Sequence, residues 1–102
     1  MTISREFVLP AGHAVLPGHF PGDPIVPGVI LMGWCEELAG QLANAPVIVH
    51  DWPNVKFLHP LKPDQVCRVT LKRSTGTQAV FSITSDAQLI ATGTLGWKMV
   101  NS

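Results

Sequence analysis

The residue of this 102-residue sequence whose surroundings point most directly to chemistry is His19. It stands in the run Gly18-His19-Phe20-Pro21-Gly22-Asp23-Pro24-Ile25-Val26-Pro27-Gly28-Val29. Imidazole has an ordinary pKa of about 6.5, so a neutral ring at working pH can take a proton from a carbon beside a carbonyl group; the other role open to a histidine in a Pro/Gly turn is that of a surface residue. Pro17, Pro21 and Pro24 stiffen the chain around the ring and fix it without a large scaffold. Gly28 follows at the start of a helix-forming stretch, and Val26 stands where a capping Ser, Thr, Asp or Asn would be expected. The first amides of that helix therefore lack a side-chain acceptor. They lie at the positive end of the helix dipole and suit an oxygen that gains negative charge as the proton leaves. Gly28 also permits a tight turn, and the two roles are compatible. Glu36 and Glu37 lie further along the same helix. A carboxylate enclosed by apolar groups resists ionisation and is ready to donate a proton; the other role open to the pair is that of polar surface or dimer contacts. Asp23, inside the loop, is a weaker candidate for the same task.

These residues need a scaffold. Residues 3–9 are rich in β-branched and aromatic types and predict an opening strand, ended by Pro10 and Gly12. The Pro- and Gly-crowded stretch 10–28 admits neither a helix nor a ladder strand, and a loop of that length in a small domain is usually functional. Residues 29–45 are dominated by good helix formers and end at Asn44 and Pro46, which predicts one helix of about four turns. Its apolar positions Val29, Ile30, Met32, Cys35, Leu38, Ala39 and Leu42 wrap most of the circumference, as in a helix enclosed by a core. Beyond Pro46 the period changes to two. Val55 and Phe57, then Cys67, Val69 and Leu71, then Ala79, Phe81 and Ile83, then Leu89, Ala91, Leu95 and Trp97 mark strands with one wet face. Ser74-Thr75-Gly76 and Asp86-Ala87 suit hairpin turns. The expected architecture is α+β, a curved antiparallel sheet wrapped around one central helix, in a single domain over residues 1–102.

Composition narrows the function. The chain is 46% hydrophobic but only 14% charged, where a soluble domain averages roughly a quarter charged. A surface so short of charge points to burial against another subunit, in a homodimer or higher even oligomer. Seven basic and seven acidic side chains leave no net charge, which disfavours nucleic acid and anionic membrane as partners. Two distant cysteines, Cys35 and Cys67, and an N-terminus without a leader-like pattern suggest the cytoplasm. His13, His50 and His59 show no metal-ligand spacing with the cysteines, so no metal is expected. Trp34 and Trp97 read as core or interface residues, and no phosphate loop or dinucleotide fingerprint implies a nucleotide cofactor; none is expected.

The run from Gly18 to Val29 resembles the GHFPGxPxxPGV signature of the FabZ/FabA-type 3-hydroxyacyl-(acyl carrier protein) dehydratases of fatty-acid synthesis. Val55-Lys56-Phe57-Leu58-His59-Pro60-Leu61-Lys62-Pro63-Asp64 resembles the KFxxPVxPGD strand and turn of that family, and Trp34 is similar to the ApeI-like, aryl-polyene subgroup. The resemblance implies a hot-dog fold and removal of water from a 3-hydroxyacyl thioester on acyl carrier protein or coenzyme A. It assigns His19 as the base and the Gly28 amide as the oxyanion donor, with Phe20, Pro21, Gly22, Pro27 and Val29 around the acyl chain. It also implies a dimer in which base and acid come from different subunits. Here the sequence departs from the family, because the helix acid expected fourteen positions after the histidine is Gly33. Glu37, about 6 Å further along the helix, and Glu36 are its nearest replacements. That departure leaves two other functions open, a non-catalytic or half-site acyl-binding subunit of an active dehydratase and a hot-dog acyl thioesterase. Lys56, Lys62, Arg68 and Lys72 on the wet faces serve solvation, with contact to an acidic carrier as the other option.

Overall fold

The computed structural model describes residues 1–13 and 24–100. In chain order these form β1 (Thr2–Phe7), α1 (Gly28–Ala43), β2 (Val47–Phe57), β3 (Cys67–Thr75), β4 (Gln78–Ser85) and β5 (Gln88–Met99). The five strands make one antiparallel sheet in the order β1-β3-β4-β5-β2. The helix packs against β1, β2 and β3. None of the described helices is long and apolar enough to cross a membrane.

Strict alternation builds the middle of the sheet. Cys67, Val69, Leu71, Ala79, Phe81 and Ile83 are all no more than 1% exposed, and they meet Leu38 and Ala39 of the helix in one core. Cross-strand pairs Val69↔Ile83 and Leu71↔Phe81 set the register. Gly93 of β5 is required by close approach, since a Cβ there would lie 2.7 Å from Cε2 of Phe81 and would collide with the Asn54 carbonyl oxygen. The β4–β5 hairpin turns at Asp86 and Ala87, both with positive φ (50° and 62°), as a two-residue hairpin turn demands.

The structure shifts several expected boundaries. The opening strand stops at Phe7, although Leu9 beyond it is still buried, and the helix runs over Gly28–Ala43. Asn44 adopts the left-handed conformation that closes the helix, with amides 44 and 45 returning to Gln41 and Gly40. The second strand starts at Val47, ahead of Pro53, because an edge strand with register shifts around Asp51 tolerates a proline. The helix is enclosed on one face only. Leu31, Cys35, Leu38, Ala39 and Leu42 are buried, while Val29 is 70% exposed and Gly33, Glu36 and Glu37 face outward, so the expected all-round burial does not occur within one chain. Two predicted inward residues are also displaced. Phe57 is 55% exposed, and on β5 a bulge between the pairs Ile83↔Ala91 and Thr84↔Leu89 turns Ile90 into the core and leaves Leu89 outside.

Candidate functional site

A cavity of about 380 Å³ opens at the N-terminus of α1, between Val26, Gly28 and Leu31 on one side and residues 57–61 on the other. The helix starts there because Pro27, not the expected Val26, takes the cap position in extended conformation (φ −61°, ψ 146°) and offers no side-chain hydrogen bond. The amides of Ile30 and Leu31 reach the Pro27 carbonyl at 3.0 and 3.4 Å. Those of Gly28 and Val29 have no acceptor among the described residues, which leaves two donors at the positive end of the helix dipole. No acidic residue stands in the first turn to occupy them. A Cβ at Gly28 would lie 2.9 Å from Cζ of Phe57, whose ring covers the helix start and would have to shift to admit it.

The turn after β2 pins this corner. The Val26 amide donates to the Leu61 carbonyl at 2.7 Å, the Asp64 amide to Leu9 at 2.8 Å, and the Ala11 amide to Oδ1 of Asp64 at 3.0 Å. The chain on either side of residues 14–23 is thus tied to one turn beside the cavity. Asp64 occupies the place of the glycine in the KFxxPVxPGD pattern and keeps the left-handed backbone (φ 67°) that explains a glycine there.

The expected site residues divide into three groups. Gly28 lines the cavity and Pro27 caps its helix. His19, Phe20, Pro21, Gly22 and Asp23 lie outside the described residues. Val29 points to solvent, and neither Glu36 nor Glu37 lines the cavity. Glu37 instead pairs with Arg5 of β1 at 3.3 Å, both side chains about half exposed, and Arg5 lies 4.8 Å over the Phe7 ring, which stacks on Trp34 at 5.1 Å. The expectation of a carboxylate enclosed by apolar groups is therefore not met within one chain, because the outer face of the helix is open. At Gly33 a Cβ would meet nothing within 4 Å. The two cysteines are inert: burial pushes the Cys35 thiol up to about 12 and the Cys67 thiol up to about 11.

One residue to which the sequence reading gave no role at the site does reach it. His59 lines the cavity, with Nδ1 3.0 Å from the carbonyl oxygen of Leu89. The signal available in the sequence was its place inside the KFxxPVxPGD-like stretch. The bulge on β5 that aims the Leu89 and Ile90 carbonyls at it has no such signal.

Comparison with known proteins bears on this geometry. The model of the ApeI-like family, described as ApeI dehydratase, matches residues 1–94. The 3-hydroxyacyl-(acyl-carrier-protein) dehydratase FabZ of Syntrophobacter fumaroxidans is 29% identical over 86 residues, covering 72% of this chain and 58% of its own length. That of Campylobacter curvus is 32% identical over 65 residues, covering 51% and 44%. The chain spans about half the length of the curated relatives it matches. Among solved structures, the dehydratase heterocomplex ApeI:P from Xenorhabdus doucetiae superposes with a TM-score of 0.82 at 23% identity, covering 94% of this chain and 86% of that one. An acyl-CoA hydrolase from Staphylococcus aureus in complex with butyryl coenzyme A gives a TM-score of 0.71 at 20% identity, over 96% of this chain and 62% of that one. At these identities the likeness is one of fold, and both carry the hot-dog arrangement of a single helix against an antiparallel sheet. With nearly all of the chain matched by its model, the protein belongs to the ApeI-like family of hot-dog dehydratases.

Proposed function

We propose that the protein removes water from a 3-hydroxyacyl thioester, carried on acyl carrier protein or coenzyme A, to give the trans-2-enoyl thioester. The observation that carries this reading is the cavity at the start of α1, apolar in its walls and furnished with the amides of Gly28 and Val29, which have no acceptor among the described residues. A thioester oxygen placed against those amides gains negative charge as the α-proton leaves, and preorganised donors stabilise that charge. His19 takes the α-proton. The Cα–H electron pair then forms the Cα=Cβ bond as the Cβ–O bond breaks, and the hydroxyl departs as water after accepting a proton. The names of the FabZ relatives support this choice of reaction.

Completion of the site calls for a second chain. The outer face of α1, with Val29 70% exposed, Glu36 exposed and Glu37 half-exposed in its pair with Arg5, lies on the same molecule as an open β2 edge carrying Ile48 and Phe57, with Leu58 just beyond it, each of these three at least 47% exposed. Pairing would cover this surface and bring a partner's Glu36 or Glu37 toward the cavity as the acid that protonates the hydroxyl. A second reading is favoured by Gly33, which stands in open space where the dehydratase pattern has its acid. On that reading the chain is a half-site subunit that works beside an active dehydratase, and the likeness in fold to a chain of the Xenorhabdus dehydratase heterocomplex supports it.

Purified protein incubated with 3-hydroxyacyl and enoyl thioesters tests both. Turnover by the protein alone that falls about 100-fold or more in His19→Ala is the expected result. Turnover that appears only when a related dehydratase subunit is added selects the half-site reading, and release of free thiol without enoyl product replaces both with thioester hydrolysis.

A further inference from the structure

His59 sits where two hollows meet. It lines the apolar cavity beside Gly28, and together with Pro60 it also lines a shallower groove of about 630 Å³ that continues past Lys62, Asp64, Gln65 and Gln88. The inner hollow suits a hydrocarbon; the outer one suits something hydrogen-bonding and flexible. The residue between them is held through its backbone and its ring. The amides of Leu58 and His59 both donate to the Ile90 carbonyl, at 2.8 and 3.2 Å, and Pro60 restricts His59 to extended backbone. Nδ1 lies 3.0 Å from the Leu89 carbonyl oxygen. A carbonyl only accepts, so Nδ1 carries the hydrogen and the neutral ring presents Nε2 as a bare acceptor. Among the described residues nothing donates to Nε2. The β5 bulge that supplies both carbonyls thus aims one acceptor at the junction of the two hollows.

We propose that Nε2 of His59 accepts a hydrogen bond from the amide N–H nearest the sulfur of a pantetheine-type thioester, so that the acyl chain lies in the inner cavity and the rest of the thiol arm in the outer groove. This rests on the acyl-thioester reading and adds to it the path of the arm and a residue that selects for it. The chemistry fits at each point. A thiol arm of this class carries its first amide two methylenes beyond the sulfur, which places a donor just outside the thioester. Beyond it the arm offers a further amide and a hydroxyl, which Gln65, Gln88 and Lys62 can meet. His59 is a positioning and selectivity residue here and takes no part in the proton transfers.

The test uses two unreactive probes, S-hexyl pantetheine and the same molecule with the amide nearest sulfur replaced by an ester, which keeps the shape and removes one N–H. Isothermal titration of the wild type should favour the amide probe by about three- to tenfold, the value of one hydrogen bond. His59→Asn keeps a donor toward Leu89 but places no acceptor at the Nε2 position, and should erase the preference. His59→Gln, which restores an acceptor there, should recover part of it. S-hexyl coenzyme A should lose the same factor in His59→Asn, and a loss confined to that probe would move the contact to the nucleotide and overturn the assignment. So would an unchanged preference in His59→Asn, or equal weakening of both pantetheine probes, which marks a merely structural ring. If the wild type binds neither probe, the acyl-thioester reading falls with it, whereas binding without an amide preference removes only the role of His59.

Discussion

The β3–β4–β5 half of the sheet and the corner where α1 begins are built to opposite rules. In the first, Val69, Leu71, Phe81 and Ile83 are no more than 1% exposed, and there is no room for even one added methyl at Gly93. In the second, Val29, Phe57 and Leu58 are 47–70% exposed, two helix amides have no acceptor among the described residues, and a side chain at Gly33 would enter open space. Close packing on one side supplies the rigidity, and the other side leaves apolar surface exposed and two helix amides without an acceptor among the described residues.

Mutations should separate the two regions sharply. Gly93→Ala forces a methyl against the Asn54 carbonyl and the Phe81 ring and should cost up to about 3 kcal/mol, measured as a fall in the urea midpoint. Loss of less than about 0.5 kcal/mol there would mean that the packed half can yield, and the contrast would dissolve. Phe57→Ala removes a whole ring, yet because that ring is 55% exposed it should cost only about 1 kcal/mol. The same change opens the wall of the cavity and should weaken binding of the S-hexyl probe well beyond its effect on stability; unaltered binding would place the acyl chain elsewhere.

A third effect concerns the cysteines on the packed side. Both thiols are held neutral by burial, with pKa values raised from 9.0 to about 12 for Cys35 and about 11 for Cys67. The unfolded chain releases these protons first, so their contribution is complete below pH 9.0 and is lost as the pH rises toward 11 and 12. Unfolding by urea at about pH 8 and about pH 10 should show a loss of stability that is reduced in a Cys35→Ala, Cys67→Ala variant. An identical pH dependence in the variant would show that the thiols already ionise in the folded chain.

Legibility in the sequence followed the same division. Alternation through Cys67, Val69, Leu71 and Ala79, Phe81, Ile83 announced two strands and their inner faces, because a one-faced sheet forces a period of two. Asp86-Ala87 announced its turn and Asn44 its helix end, since each needs the left-handed backbone. Leu89 and Phe57 followed the same pattern and misled, because a bulge and an open edge interrupt the pleat without any residue that marks them. At the site, the uncapped start at Gly28 was readable from the missing cap residue. Glu37 was not readable as the partner of Arg5, since that pairing spans two elements far apart in the chain.

What the sequence determined alone is local: a helix starting at Gly28 without a side-chain cap, and strands whose inner faces repeat every second residue. These depend on backbone restriction and on residues close in the chain, so no long-range contact is needed to infer them. The tertiary structure decided which of the helix's apolar positions are covered, that the first helical turn meets residues 57–61 around a cavity, and that His59 rather than a helix carboxylate stands beside it within one chain. Those outcomes rest on the β5 bulge and on pairings between distant strands, and such pairings are set by the packing of the whole sheet rather than by any segment of it.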